Sequence, residues 1–237
     1  MNSYWQSTRS PLYSFLFAIP LFLFYEVGIF LTTTNDMFVL RNGADALMRQ
    51  ILSSLGVSGL YWMGGLFFIG FIVAFILQRK YWAETKIHGD YLLLMMGESL
   101  VWAILIYYFM SNVSLLLMNP TGSLLIQRAT LAIGAGIYEE FFFRVLLIAG
   151  ISALLGFIFQ WSEKMKNWMA MVIAAGIFSS FHFIGDYGDF FTFKIFMIRF
   201  LAGIALGTLY FMRGFGITAW SHAIYDLIVL TQMTTQK

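Results

Sequence analysis

The chain has 237 residues, of which 60% are hydrophobic and only 11% charged, with a net charge of +2. Soluble domains carry about 25% charged residues, so a water-exposed surface is excluded. The small net charge, with no basic block, excludes nucleic acid as a partner. The absence of cysteine excludes disulfides, thiolate metal sites and cysteine nucleophiles.

A membrane-spanning helix needs about 20 mostly apolar residues. In chain order, such runs lie at about 12–32, 59–77, 91–118, 123–158, 168–184, 191–212 and 216–231. The first follows Arg9 as a secretory signal would. It has no small-residue cleavage site and continues past Glu26, so it is read as a retained span. Between the first two runs, Leu47, Met48, Ile51, Leu52 and Leu55 share one helical face, with Asp45, Arg49, Gln50, Ser53 and Ser54 on the other. This pattern predicts an amphipathic helix over 43–56 lying in the membrane interface.

The stretch from Ala129 to Phe159 is some 31 residues, about 46 Å as one α-helix. It must tilt strongly, protrude, or break near Gly150 or Gly156. The polar links Gln78–Asp90 and Gln160–Asn167 separate its neighbours, and His88 belongs to the first of these as a solvated residue. The reading is an all-α, polytopic membrane helix bundle of seven to eight transmembrane helices with one interfacial amphipathic helix. It forms a single integral membrane domain over 1–237. No internal repeat or separate soluble domain is apparent.

Charge inside these runs is expensive, roughly 2.5–3.5 kcal/mol for each acidic or basic residue at mid-membrane. Yet Glu139, Glu140 and Arg144 fall within one apolar run. Glu140 and Arg144 are four apart and can pair on one helical face. An ion pair could simply cement helix packing, but a second adjacent carboxylate, Glu139, gains nothing from a single arginine. Two carboxyls so placed are expected to differ in proton affinity, as a base or proton carrier requires. Phe178-Ser179-Ser180-Phe181-His182 ends the fifth run, and His222 and Asp226 lie one turn apart in the last. Taken singly, each histidine reads as a packing residue; the joint spacing lets both converge on the paired glutamates. Glu26 and Glu98 also sit in apolar stretches, with no role readable from their surroundings.

The ordered series E-E-x-x-x-R, F-x-x-x-H and H-x-x-x-(N/D), from Glu139 to Asp226, resembles the CPBP (Abi) family of intramembrane proteases. That family includes the type II CAAX prenyl endopeptidases. The resemblance implies hydrolysis of a peptide bond in a membrane-associated or lipidated substrate, with catalytic core helices over 123–231. It implies that Glu139 is the general base and that His182 helps to activate the attacking water. It implies that His222 and residue 226 stabilise the oxyanion and that Glu140 and Arg144 support the first helix. Position 226 departs from the prenyl endopeptidases, which have asparagine there. An ionised aspartate cannot donate a hydrogen bond, so the oxyanion role falls more naturally to His222, and the departure favours a bacterial inner-membrane relative.

Two histidines and a glutamate could ligate zinc with an open position. The short His-Glu-x-x-His helix motif is absent, and a metal-free glutamate mechanism suits the implied roles better. The expected partners are the lipid bilayer and a peptide or lipidated protein. Two other classes remain: a transporter using the Glu/His/Asp set as a proton relay, which usually shows internal repeats, and a non-catalytic immunity or binding protein. The string Gly185-Asp186-Tyr187-Gly188-Asp189 reads as a polar turn or as a substrate-gating loop.

Overall fold

The computed structural model describes residues 4–32, 43–44, 65, 69–70, 72–73, 76, 87–111, 125–184 and 189–235. Every regular element among them is helical. A short α1 (Tyr4–Thr8) precedes α2 (Pro11–Thr32), whose first residue is a proline, favourable where the missing N–H would be unpaired in any case. Next come α3 (Gly89–Ser111) and the long α4, which runs through Leu125–Gly134, Ala135–Glu139, Phe141–Leu147 and Ile148–Phe159. The bundle is completed by α5 (Glu163–Phe181), α6 (Phe193–Arg213) and α7 (Phe215–Thr235).

Among the described residues, four helices are long and apolar enough to cross a membrane: Pro11–Leu31, Gly89–Ser111, Ile126–Phe159 and Phe193–Arg213. The apolar residues exposed along them, such as Phe30, Leu93, Leu105 and Phe157, suit a lipid-facing surface. Four is fewer than the seven or eight expected. Most of the run at 59–77 and nearly all of the interfacial helix at 43–56 lie outside the described residues. The expected spans at 168–184 and 216–231 are helices, but α5 opens on Glu163-Lys164-Met165-Lys166-Asn167 and the apolar part of α7 ends at Leu230.

The long fourth run does not break. Helix α4 passes through Gly150 with nothing packed near it and ends at Gln160, which takes a left-handed conformation at φ 53°. Between Ala135 and Leu147 it is wound as π-helix, with only Glu140 in α geometry. The i→i+5 bonding of a π-turn takes in more residues per turn than an α-turn. The run is therefore shorter than its residue count predicts, and successive side chains diverge less around the axis.

Helix α7 is the hub, packing on α2, α3, α4 and α6. One core joins Phe15, Phe22 and Tyr25 of α2 to Ile137, Tyr138 and Phe141 of α4 and Phe215 of α7. A second joins Tyr13 and Phe17 to Met95 and Met110 of α3, Leu206 of α6 and Ile217 of α7. Two glycines set the geometry. Gly214, at φ +80°, makes the turn that lets α7 start directly after α6, a conformation costly to a side chain. Gly136 lies against α7 so closely that a Cβ would stand 2.5 Å from the Ala219 carbonyl oxygen and 2.6 Å from the Ala223 Cβ. Small residues at such a crossing let helix backbones approach, and this one lies one turn before Glu140 and beside His222.

Candidate active site

Close approach of α4 to α7 brings Glu140 onto His222. The His222 Nδ1–H donates to Glu140 Oε1 at 2.7 Å, and the other oxygen, Oε2, is 3.0 Å from Arg144 Nε. Both members of the Glu140–Arg144 pair are almost fully buried, at 0% and 2% exposure. The second imidazole nitrogen, His222 Nε2, faces Asp226 Oδ2 at 3.6 Å, one turn further along α7. The four groups thus form one line: Arg144, Glu140, His222, Asp226. Sequence spacing alone made Asp226 the residue to orient this imidazole; Glu140 is the nearer partner and holds it through Nδ1.

The π-helical winding explains how two adjacent glutamates share this interior. Glu139 and Glu140 are both buried. The Glu139 carboxylate lies within electrostatic reach of His182, His222 and Asp226. Such a group bears on three partners from two other helices, which a packing ion pair does not need.

His182 is the first residue beyond α5. Its Nδ1–H donates to the Phe178 carbonyl at 2.9 Å, one turn back. A carbonyl accepts only, so Nδ1 carries the proton and Nε2 is left as the acceptor nitrogen. The ring meets Phe178 edge-to-face at 4.9 Å, and the Arg144 guanidinium lies over the same Phe178 ring, 4.6 Å from its centroid. Phe143 of α4 packs on Phe178 and Phe181, locking α4 to the end of α5. Five of the six residues singled out by their sequence spacing therefore lie on α4 and α7, and the sixth, His182, caps the end of α5.

Among the described residues, no three His, Asp or Glu side chains are grouped so as to hold a metal ion. Both imidazole Nδ1 atoms are engaged, one by a carboxylate and one by a carbonyl.

Two charged partners escaped the sequence reading. Arg213, at the end of α6, is fully buried and forks onto Glu98 of α3, with Nη2 2.7 Å from Oε2 and Nε bonded to Oε1. Arg199, in the first half of α6, pairs with Asp189. The available signal was their cost: each is an arginine in or beside an apolar run, where an unpaired cation is not tolerated. Glu26 accepts a hydrogen bond from the Tyr138 hydroxyl at 2.9 Å.

The fold and the buried cluster together define a polytopic, all-helical membrane protein with its polar chemistry inside the bundle. Residues 120–228 match the model of the Rce1-like family, described as type II CAAX prenyl endopeptidase Rce1-like. The match contains the whole series from Glu139 to Asp226, and the family is one of proteases. No curated protein and no solved structure matches the chain.

Proposed function

We propose that this protein is a membrane-embedded endopeptidase that hydrolyses a peptide bond of a membrane-associated or lipidated substrate, with Glu139 activating the water. The observation that carries the reading is the placement of the Glu139 carboxylate, buried on a π-helical turn and within electrostatic reach of both histidines. A carboxylate within reach of a bound water can take its proton as a general base.

In the proposed reaction, Glu139 takes a proton from water held between it and His182 Nε2. The hydroxide attacks the substrate carbonyl carbon, and the oxygen of that carbonyl becomes the oxyanion. His222 donates to it through Nε2–H while Glu140 grips Nδ1–H, so the ring cannot rotate away. Arg144 pairs with Glu140 and holds it in place. The C–N bond then breaks, and the departing amine takes the proton that Glu139 accepted. Glu139 and the donors act on charge that develops only in the transition state, where electrostatic preorganisation has its largest effect.

Asp226 stands at 3.6 Å from Nε2 and is more exposed than His222; its part is to orient His222 rather than to donate. This reading places the protein in a cell membrane, and aspartate at this position favours a bacterial inner membrane. The experiment is proteomics of membrane-protein termini in cells carrying the wild type or Glu139→Gln. New termini that need Glu139 establish the activity; identical termini in both cells reject it. Protection of a host from a bacteriocin by the Glu139→Gln protein would point instead to an immunity role.

A further inference from the structure

His182 sits where a helix can hold it least. It is the first residue after α5, and the carbonyls of a last helical turn have no partner within the helix. What fixes it comes from the other side of the connection. The Asp189 backbone N–H donates to the His182 carbonyl at 3.0 Å. The Asp189 carboxylate pairs with Arg199 of α6, side chains that are only 20% and 11% exposed. The Arg199 guanidinium in turn lies over the ring of Phe183, the residue next to His182, at 5.4 Å from its centroid. A second tie joins the same two helices, the Ser179 hydroxyl donating to the Phe196 carbonyl at 2.7 Å.

We infer that the Asp189–Arg199 ion pair is the positioning device for His182, anchoring to α6 the residue that presents Nε2 to the reacting water. The inference rests on the role proposed above for His182. The pair is poorly suited to a generic surface role, since a surface ion pair contributes little and needs no buried arginine. Its three attachments act at different points: on the His182 carbonyl, on the Phe183 ring and on the body of α6. With the Phe178 carbonyl holding Nδ1 from the helix side, the imidazole is gripped from both directions. The charge of Arg199 also acts on His182, so the same residue sets position and local field. The last residue of the Gly185–Asp189 string is therefore an anchor rather than a gate.

The chain contains three histidines, His88, His182 and His222, so protein labelled with 15N-histidine in lipid nanodiscs gives three sets of ring signals, assigned by His182→Gln and His88→Gln. Arg199→Gln and Asp189→Asn are expected to shift and broaden the His182 signals while those of His88 and His222 stay in place. Arg199→Lys, which keeps the cation, is expected to restore them largely. With a quenched-fluorescent farnesylated CAAX peptide, the first two variants should lose roughly 10- to 100-fold in kcat with KM within about twofold, the size of effect a misplaced group produces. Unmoved His182 signals in folded Arg199→Gln and Asp189→Asn overturn the inference. So does equal movement of all three histidines, which marks general loosening. Glu139→Gln is run beside them: cleavage by that variant at the wild-type rate rejects the catalytic reading itself, while the histidine signals still decide whether the anchor exists.

Discussion

The molecule buries charge in two regions, and they are built differently. Around Arg213 every direction is answered. Glu98 takes the guanidinium in a fork, the Thr8 hydroxyl accepts from Nη2 at 2.8 Å, the Trp5 carbonyl lies 3.4 Å from Nη1, and the Trp5 ring stacks at 4.1 Å. Glu98 is likewise saturated, taking Tyr4 at 2.7 Å and Trp102 at 3.3 Å. Around Arg144 the answer is partial: Nε faces Glu140, the Phe178 ring covers the plane, and neither terminal nitrogen has a hydrogen-bond partner among the described residues. Asp226 stands off from His222 by 3.6 Å. Buried charge by itself is thus no mark of catalysis. A saturated cluster ties α1, α3 and α6 together, whereas the Arg144 cluster keeps unspent donors and a gap in its line.

The comparison can be broken in order of effect. Glu139→Gln should lower peptide cleavage by about 10²- to 10⁴-fold, the range of a lost general base, and leave the thermal melt within about a degree. A large drop in melting temperature would move Glu139 into the structural class. Arg213→Met should do the opposite, costing stability by about 3–5 kcal/mol because Glu98 is left without its cation. The double variant Arg213→Met/Glu98→Leu should regain most of that in chemical denaturation, and failure to do so would show that the fork itself, not the orphaned charge, matters.

Gly136→Ala tests the crossing that unites Glu140 with His222. A Cβ there meets backbone, so α4 and α7 must separate; about 1–3 kcal/mol of stability should go, together with a larger share of turnover. His222→Ala should lose roughly 10²- to 10³-fold, the usual effect of an oxyanion donor, whereas Asp226→Asn should stay within about tenfold of the wild type. Equal losses at both positions would make Asp226 a direct participant.

The smallest effect concerns pH. Burial, and then the hydrogen bond to the Glu98 carboxylate, push the Tyr4 phenol up from 10.0 to about 12. The folded protein therefore holds this proton more tightly than the unfolded chain. The resulting stability is complete below pH 10 and is lost as pH rises toward 12. Tyr4→Phe should flatten that alkaline decline in melting temperature; an unchanged slope would detach Tyr4 from the Arg213 cluster.

Much of the site was legible before any fold was known, because membrane helices make charge costly. Glu139, Glu140, Arg144, His182, His222 and Asp226 stand out as polar residues in apolar runs, and their order carries the family resemblance. What spacing could not supply was pairing. An i,i+4 rule predicted Glu140 with Arg144 correctly, but it also offered His222 to Asp226 when Glu140, 82 residues away in sequence, is the nearer partner. Glu98 was visible as an oddity and could not be explained, since its cation lies 115 residues on. Gly150 and Gly156 looked like breaks in a run too long for one straight crossing; the run instead shortens through π-helical winding, which no periodicity of apolar residues distinguishes from an α-helix when every face is apolar.

Sequence alone determined that this is a helical membrane protein and which polar residues it must house, because composition and the cost of intramembrane charge are local properties. Only the tertiary structure decided which charges satisfy one another, and which helices meet closely enough at Gly136 to bring Glu140 onto His222. Those outcomes depend on helix approach and side-chain direction across the bundle, which a one-dimensional pattern does not contain.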